Sequence, residues 1–165
     1  RHSAQTLLAP QEYDLKDFVM PVDEDARGSF AESIETLRGV VFILDGHLEA
    51  AKKLFQSLLE RTEHSVSETF CQLYLLQIAL LEGDNEKAEE YASIRSVKSF
   101  LSLKMADVQM IQAWYQFKVK KDIAQTRKAM KIARQKMNSS RMLRDEQCYY
   151  ENWLAELEKA LVEGV

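Results

Sequence analysis

Both prolines of this 165-residue chain, Pro10 and Pro21, fall within its first 21 residues. Proline is the one residue that removes a helix hydrogen bond and clashes with the preceding turn, so helix is permitted throughout the rest. Only five glycines are present. After residue 29 the chain is rich in Leu, Ala, Glu, Lys, Gln and Met, all strong helix formers. Apolar residues make up 46% of the chain, enough for a real core at this length. These features predict an all-α fold.

The helices can be placed by their ends and their stripes. Ser29 with Glu32, and Ser65 with Glu68, have the S-x-x-E spacing of a capping box, in which two side chains satisfy free N–H groups of a first turn. Phe30, Ile34, Leu37, Val41 and Leu44 recur at steps of three or four, as do Leu48, Ala51, Phe55 and Leu58, with Leu59 beside them. Breaks are expected at Asp45-Gly46, Gly83-Asp84-Asn85 and Lys121-Asp122, where Gly or Asn tolerates a left-handed backbone and Asp caps the next helix. This reading gives seven helices, over about 29–44, 47–61, 66–82, 85–97, 103–120, 122–137 and 141–162. Residues 1–28 read as an extended arm or linker. They carry an apolar set (Tyr13, Leu15, Phe18, Val19 and Met20) that favours docking over free disorder, and the acidic run Asp23-Glu24-Asp25.

Three segments align on their turns. Taking Ala51, Ala88 and Thr126 as equivalent, the spacings are 37 and 38 residues. Gly39, Phe42 and Phe55 accompany the first; Leu76 and Ala79 precede the second turn, and Trp114 and Phe117 the third. The pattern resembles the tetratricopeptide repeat (TPR), with a small residue and an aromatic on the first helix of a hairpin and Ala where the second crosses it. It departs from that family in its longer period, in Leu76 and Trp114 at small-residue positions, and in lacking a closing proline. The resemblance implies antiparallel hairpins stacked as a short right-handed superhelix over residues 29–165, the last helix acting as a cap. It implies that the first helix of each hairpin lines a concave surface, at Val40 and Ile43, then Phe70, Leu73 and Gln77, then Ile111, Tyr115 and Lys118. Gly39 would let two helices approach, with Phe42 or Phe117 filling the gap. Such a mostly apolar set suits an amphipathic helix or a hydrophobic peptide. It lacks the Lys, Asn and Arg constellation of the family's clamp for peptide carboxylates.

Charge is spread unevenly about a net of −4. From Glu12 to Glu35 there are eight acidic and two basic residues; from Lys118 to Arg144 there are ten basic residues and one acid, Asp122. Helical spacing puts Arg127, Lys131 and Arg134 on one face with Lys128 beside them. This basic face fits an acidic protein, the chain's own acidic ends, or nucleic-acid phosphates. It lacks the interleaved aromatics of a single-strand platform.

No Gly-rich phosphate loop, H-E-x-x-H, CxxC or G-x-S-x-G occurs, and His2, His47 and His64 stand alone. The chain therefore reads as no enzyme, with no cofactor, no metal site and no small-molecule substrate. Cys71 and Cys148 are far apart in sequence and suit a reducing compartment, cytoplasmic or nuclear. No apolar run approaches the roughly 18 residues of a membrane span, and no signal peptide is visible. The expected function is a non-catalytic scaffold or adaptor, part of a larger protein or complex, binding an apolar or amphipathic protein segment. A nucleic-acid-binding repeat using the basic face ranks second, and a TPR-type secretion chaperone third.

Overall fold

A computed structural model describes residues 24–139 and 144–164, and all regular structure among them is helical. Eight α-helices and one π-helical turn follow in order: α1 (Glu24–Leu44), α2 (Leu48–Arg61), α3 (Ser65–Glu82), α4 (Asn85–Ala92), α5 (Arg95–Phe100), α6 (Ala106–Tyr115), the π turn (Gln116–Lys120), α7 (Ile123–Ser139) and α8 (Arg144–Val162). Most of the arm expected over 1–28 lies outside the described residues; its last part, from Glu24, is helical and belongs to α1.

Neither expected capping box forms. Ser29 sits within α1, where its carbonyl accepts a bond from Ser33 Oγ, and Glu32 accepts instead from Thr62 Oγ1 at 2.7 Å. Ser65 is the first helical residue of α3 rather than its cap. The carbonyl that accepts from Glu68 N belongs to His64, and the His64 N–H donates to Thr62 Oγ1. The first motif has no free first turn to cap, because α1 begins at Glu24; at the second, the His64 carbonyl accepts the Glu68 N–H instead.

The three expected breaks are present. Gly46 (φ 82°) and Gly83 (φ 77°) adopt the left-handed backbone, and Lys121 (φ 57°) does so without being glycine. Behind each turn an N–H reaches back across the helix end: His47 to Phe42 O, Asp84 to Ala79 O, and Asp122 to Gln116 O. The first two span five residues, as in a Schellman closure. The third spans six, the extra residue being the one that the π turn accommodates.

The helix expected over 85–97 is two helices. Apolar positions step by four from Ala88 to Ala92, by five to Val97 and by four to Leu101, and all four are buried. A straight helix turns about 100° per residue, so a step of five carries Val97 off the stripe. The bend at Ser93-Ile94, where Ile94 is extended, brings it back.

The chain divides into two compact units between Ile78 and Ala79, within α3. In the first, α1 and α2 form a close hairpin. A Cβ on Gly39 would overlap the Phe55 ring, so the glycine is what lets that ring lie against α1. The aromatic that fills the space beside Gly39 is thus Phe55 from the opposite helix; Phe42 is half-buried and meets His47 edge-on at 6.4 Å. Phe55 stacks on Tyr74 at 5.3 Å, and Tyr74 on Phe70 at 6.2 Å, joining α2 to α3. Among the α1 residues described from Ser29 on, the buried positions are Gly39 and Ile43, whereas Leu37 of the expected stripe is exposed.

The second unit is built around α6, which is buried from Val108 to Ile111 and from Ala113 to Tyr115. A helix apolar on all sides belongs inside a core. Gln109 is satisfied there by donating to the carbonyls of Leu101 and Leu103. Helix α7 turns Thr126, Ala129, Met130, Ala133 and Met137 inward. Helix α8 turns Tyr150, Trp153, Leu154 and Leu157 inward, and Trp153 stacks on Trp114 at 5.5 Å while its carbonyl accepts from Trp114 Nε1. Ala51, Ala88 and Thr126, the residues aligned across the three segments, are each fully buried.

Candidate docking groove between α7 and α8

Two sets of residues were candidates for a binding surface, and they fare differently. Of the expected concave positions, Ile43, Leu73, Gln77, Ile111 and Tyr115 are core residues, none more than 9% exposed. Val40, Phe70 and Lys118 are half-buried. Lys118 Nζ lies 5.5 Å from the centre of the Trp114 ring. A side chain without accessible surface offers a partner nothing to touch, so these five core residues serve as packing, while Val40, Phe70 and Lys118 keep part of their surface. Gln77 is fully buried, and neither polar atom of its amide has a hydrogen-bond partner among the described residues. Tyr115 is held by a bond from its hydroxyl to Glu89 Oε1 at 2.8 Å. Lys120 approaches the same carboxylate, and Ser93 Oγ donates to its other oxygen. Burial and the Glu89 charge push the Tyr115 phenol up from its usual range, while the Tyr115 hydrogen bond chiefly holds Glu89 below the usual carboxylate range. This cluster fastens α4 to the end of α6.

The basic set remains at the surface. Arg127, Lys128, Lys131 and Arg134 are all exposed, and helical spacing sets Arg127, Lys131 and Arg134 along the Met130 edge of the buried stripe of α7. Three of them, Arg127, Lys131 and Arg134, line one wall of a cavity of about 270 Å³, with Met130 beneath and Glu158, Leu161 and Val162 of α8 opposite. Lys128 lies outside the lining. Sequence spacing had placed the cations on one face. It carried no sign of the α8 wall, because that wall exists only once Trp153 docks against α6.

The groove is amphiphilic. Its floor is apolar, its far wall is apolar apart from Glu158, and Val162 is 88% exposed. Its near wall is cationic over about 10 Å, the rise of seven residues of helix. Arg134 pairs with Glu158 across the opening. Among the described residues no carboxylate pairs with Arg127, Lys128 or Lys131, and α7 itself contains no acidic residue. Like charges at steps of three and four on one helix repel by a few tenths of a kcal/mol per pair, so this helix carries unrelieved positive charge. The volume lies just below the roughly 300–1,000 Å³ of small-molecule sites, which suits one or two side chains of a docked segment.

Elsewhere the titratable groups are dispersed. No cluster of three or more His, Cys, Asp or Glu side chains with metal-binding geometry occurs among the described residues. Cys71 is fully buried, and burial, with the Glu32 charge adding to it, pushes its thiol up to about 12. It is therefore a protonated, inert thiol at neutral pH. Burial raises the Asp107 carboxyl, opposed by its bond from Val108 N. No described helix is long and apolar enough to cross a membrane. Compared with protein-family models, curated proteins and solved structures, the chain has no match.

Proposed function

We propose that the chain is a non-catalytic protein-interaction module, a scaffold or adaptor that docks a partner segment between α7 and α8. The observation that carries this reading is the groove itself, where apolar floor and unpaired cations converge on one accessible cleft. Interfaces draw affinity from a few apolar anchors and draw orientation and rate from complementary charge, and this cleft offers both. The equivalent turns at Gly46, Gly83 and Lys121, and the buried Ala51, Ala88 and Thr126, support a TPR-like origin for the hairpins. Two free cysteines suit a cytoplasmic or nuclear setting within a larger assembly.

The unpaired cations also favour a second reading, nucleic-acid binding on the same face. The groove lining has no aromatic side chain on which a base would stack, which places this reading second. Random-peptide display on the parent chain and on Arg127→Glu/Lys131→Glu separates the two, alongside anisotropy of a labelled oligonucleotide across a salt series. The docking reading expects peptides retained by the parent and lost by the variant. No peptide enrichment, with oligonucleotide binding that falls steeply with salt, overturns it in favour of nucleic acid.

A further inference from the structure

We infer that the α7/α8 groove takes an acidic amphipathic segment, one of whose carboxylates displaces Glu158 from Arg134. This rests on the docking reading above and adds the partner's chemistry and a built-in competitor. Five exposed cations stand on α7 (Arg127, Lys128, Lys131, Arg134 and Lys136), and among the described residues Glu158 is the only carboxylate that meets any of them. Glu158 reaches Arg134 from the opposite wall, so it occupies the place that a partner's carboxylate would take on entering. The pair is half-exposed on both sides, and such a pair exchanges readily with a competing anion. Removing the Glu158 charge leaves the guanidinium free and should strengthen partner binding.

The apolar half of the groove decides what bears the acid. A phosphate or a polyanionic strand would satisfy Arg127, Lys131 and Arg134 and leave Met130, Leu161 and Val162 facing water. A segment with apolar side chains between its acids covers both walls. The cations sit at steps of four and three along α7, and acids on one face of a partner helix repeat at the same steps. An amphipathic helix laid along α7 therefore meets the charges in register while its apolar edge enters the cleft.

The test is a fluorescence-anisotropy titration of the full chain with four probes. The first is a helical peptide with leucines along one face and glutamates on its flanks. The others replace its leucines by serine, replace its glutamates by glutamine, or substitute a single-stranded oligodeoxynucleotide. The first probe should bind the parent chain at least about tenfold more tightly than any other. Glu158→Gln should tighten it about two- to fivefold, the range an exposed ion pair carries. Arg127→Glu/Lys131→Glu should weaken it at least about tenfold. Unchanged thermal melts of both variants, whose altered residues are exposed, show that folding is not being read. Equal binding of the glutamine peptide overturns the acidic partner while leaving the docking reading standing. Binding of the oligonucleotide alone, or of no peptide, overturns both. An unchanged or weakened complex with Glu158→Gln overturns the competitor role.

Discussion

Helices α1 and α2 meet so closely that Gly39 has no room for a Cβ, whereas α7 and α8 stand over an open cavity. The contrast has a local cause. Consecutive helices in a hairpin close when a small residue on one accepts a large side chain from the other, as Gly39 accepts Phe55. Helix α8 is not held to α7 in this way. It is fixed to α6, by Trp153 on Trp114 and by the bond from the Trp114 indole to the Trp153 carbonyl. Trp114, a large aromatic, thus serves a different neighbour. The seam beside α7 is left unfilled, and among the described residues Arg127 and Lys131 on that side of α7 have no carboxylate partner. Tight packing in one unit stabilises; incomplete packing in the other provides a surface.

Substitutions in the closed hairpin and on the groove wall should therefore differ in cost. Phe55→Ala empties the closed hairpin and should lose about 3–5 kcal/mol, read by urea unfolding. Leu161→Ala, on the groove wall, should cost under about 1 kcal/mol, because its neighbour on one side is the cleft. Comparable losses for the two would mean that the groove is filled in solution. Gly39→Ala should cost about 1–3 kcal/mol by forcing the Phe55 ring aside; a neutral result would show that the ring yields to a methyl group without loss. Arg127→Glu/Lys131→Glu should stay within about 0.5 kcal/mol of the parent or gain slightly, since it relieves repulsion along α7. A large loss would assign these cations a structural partner.

The smallest effect concerns pH. Glu89 is held below its ordinary value of 4.5, chiefly by the Tyr115 hydroxyl. A depressed carboxylate contributes stability that is fully present above its unfolded pKa and is lost as pH falls through the folded one. Glu89→Gln should flatten the acid limb of the stability profile below about pH 4.5 and leave peptide binding at neutral pH unchanged. A profile that keeps its slope assigns that limb to other carboxylates.

Much of this fold was legible in the sequence because its signals are local. The breaks at Gly46, Gly83 and Lys121 follow from turn chemistry, and Ala51, Ala88 and Thr126, aligned across the three segments, are buried. The division of 85–97 was also legible in principle, as the step of five from Ala92 to Val97. Less could be read where neighbours decide. Ser29 matches a helix cap, but α1 runs past it to Glu24. The apolar residues from Val40 to Tyr115 have the same spacing whether they line a groove or a core, and only packing distinguishes the two. The cations of α7 were legible as a face. Their conversion into a groove depended on Trp153, 39 residues along the chain from Trp114, a contact that no spacing rule reports.

Methyl NMR on chain carrying ¹³C-labelled methionine tests the central contrast most directly. Met130 lies beneath the groove cations, Met110 is fully buried in α6, and Met105 is 45% exposed elsewhere on the surface. On titration with the leucine–glutamate peptide, the Met130 methyl should shift and saturate with the binding curve while Met110 and Met105 stay in place. Saturable binding that leaves Met130 unmoved would contradict docking between α7 and α8.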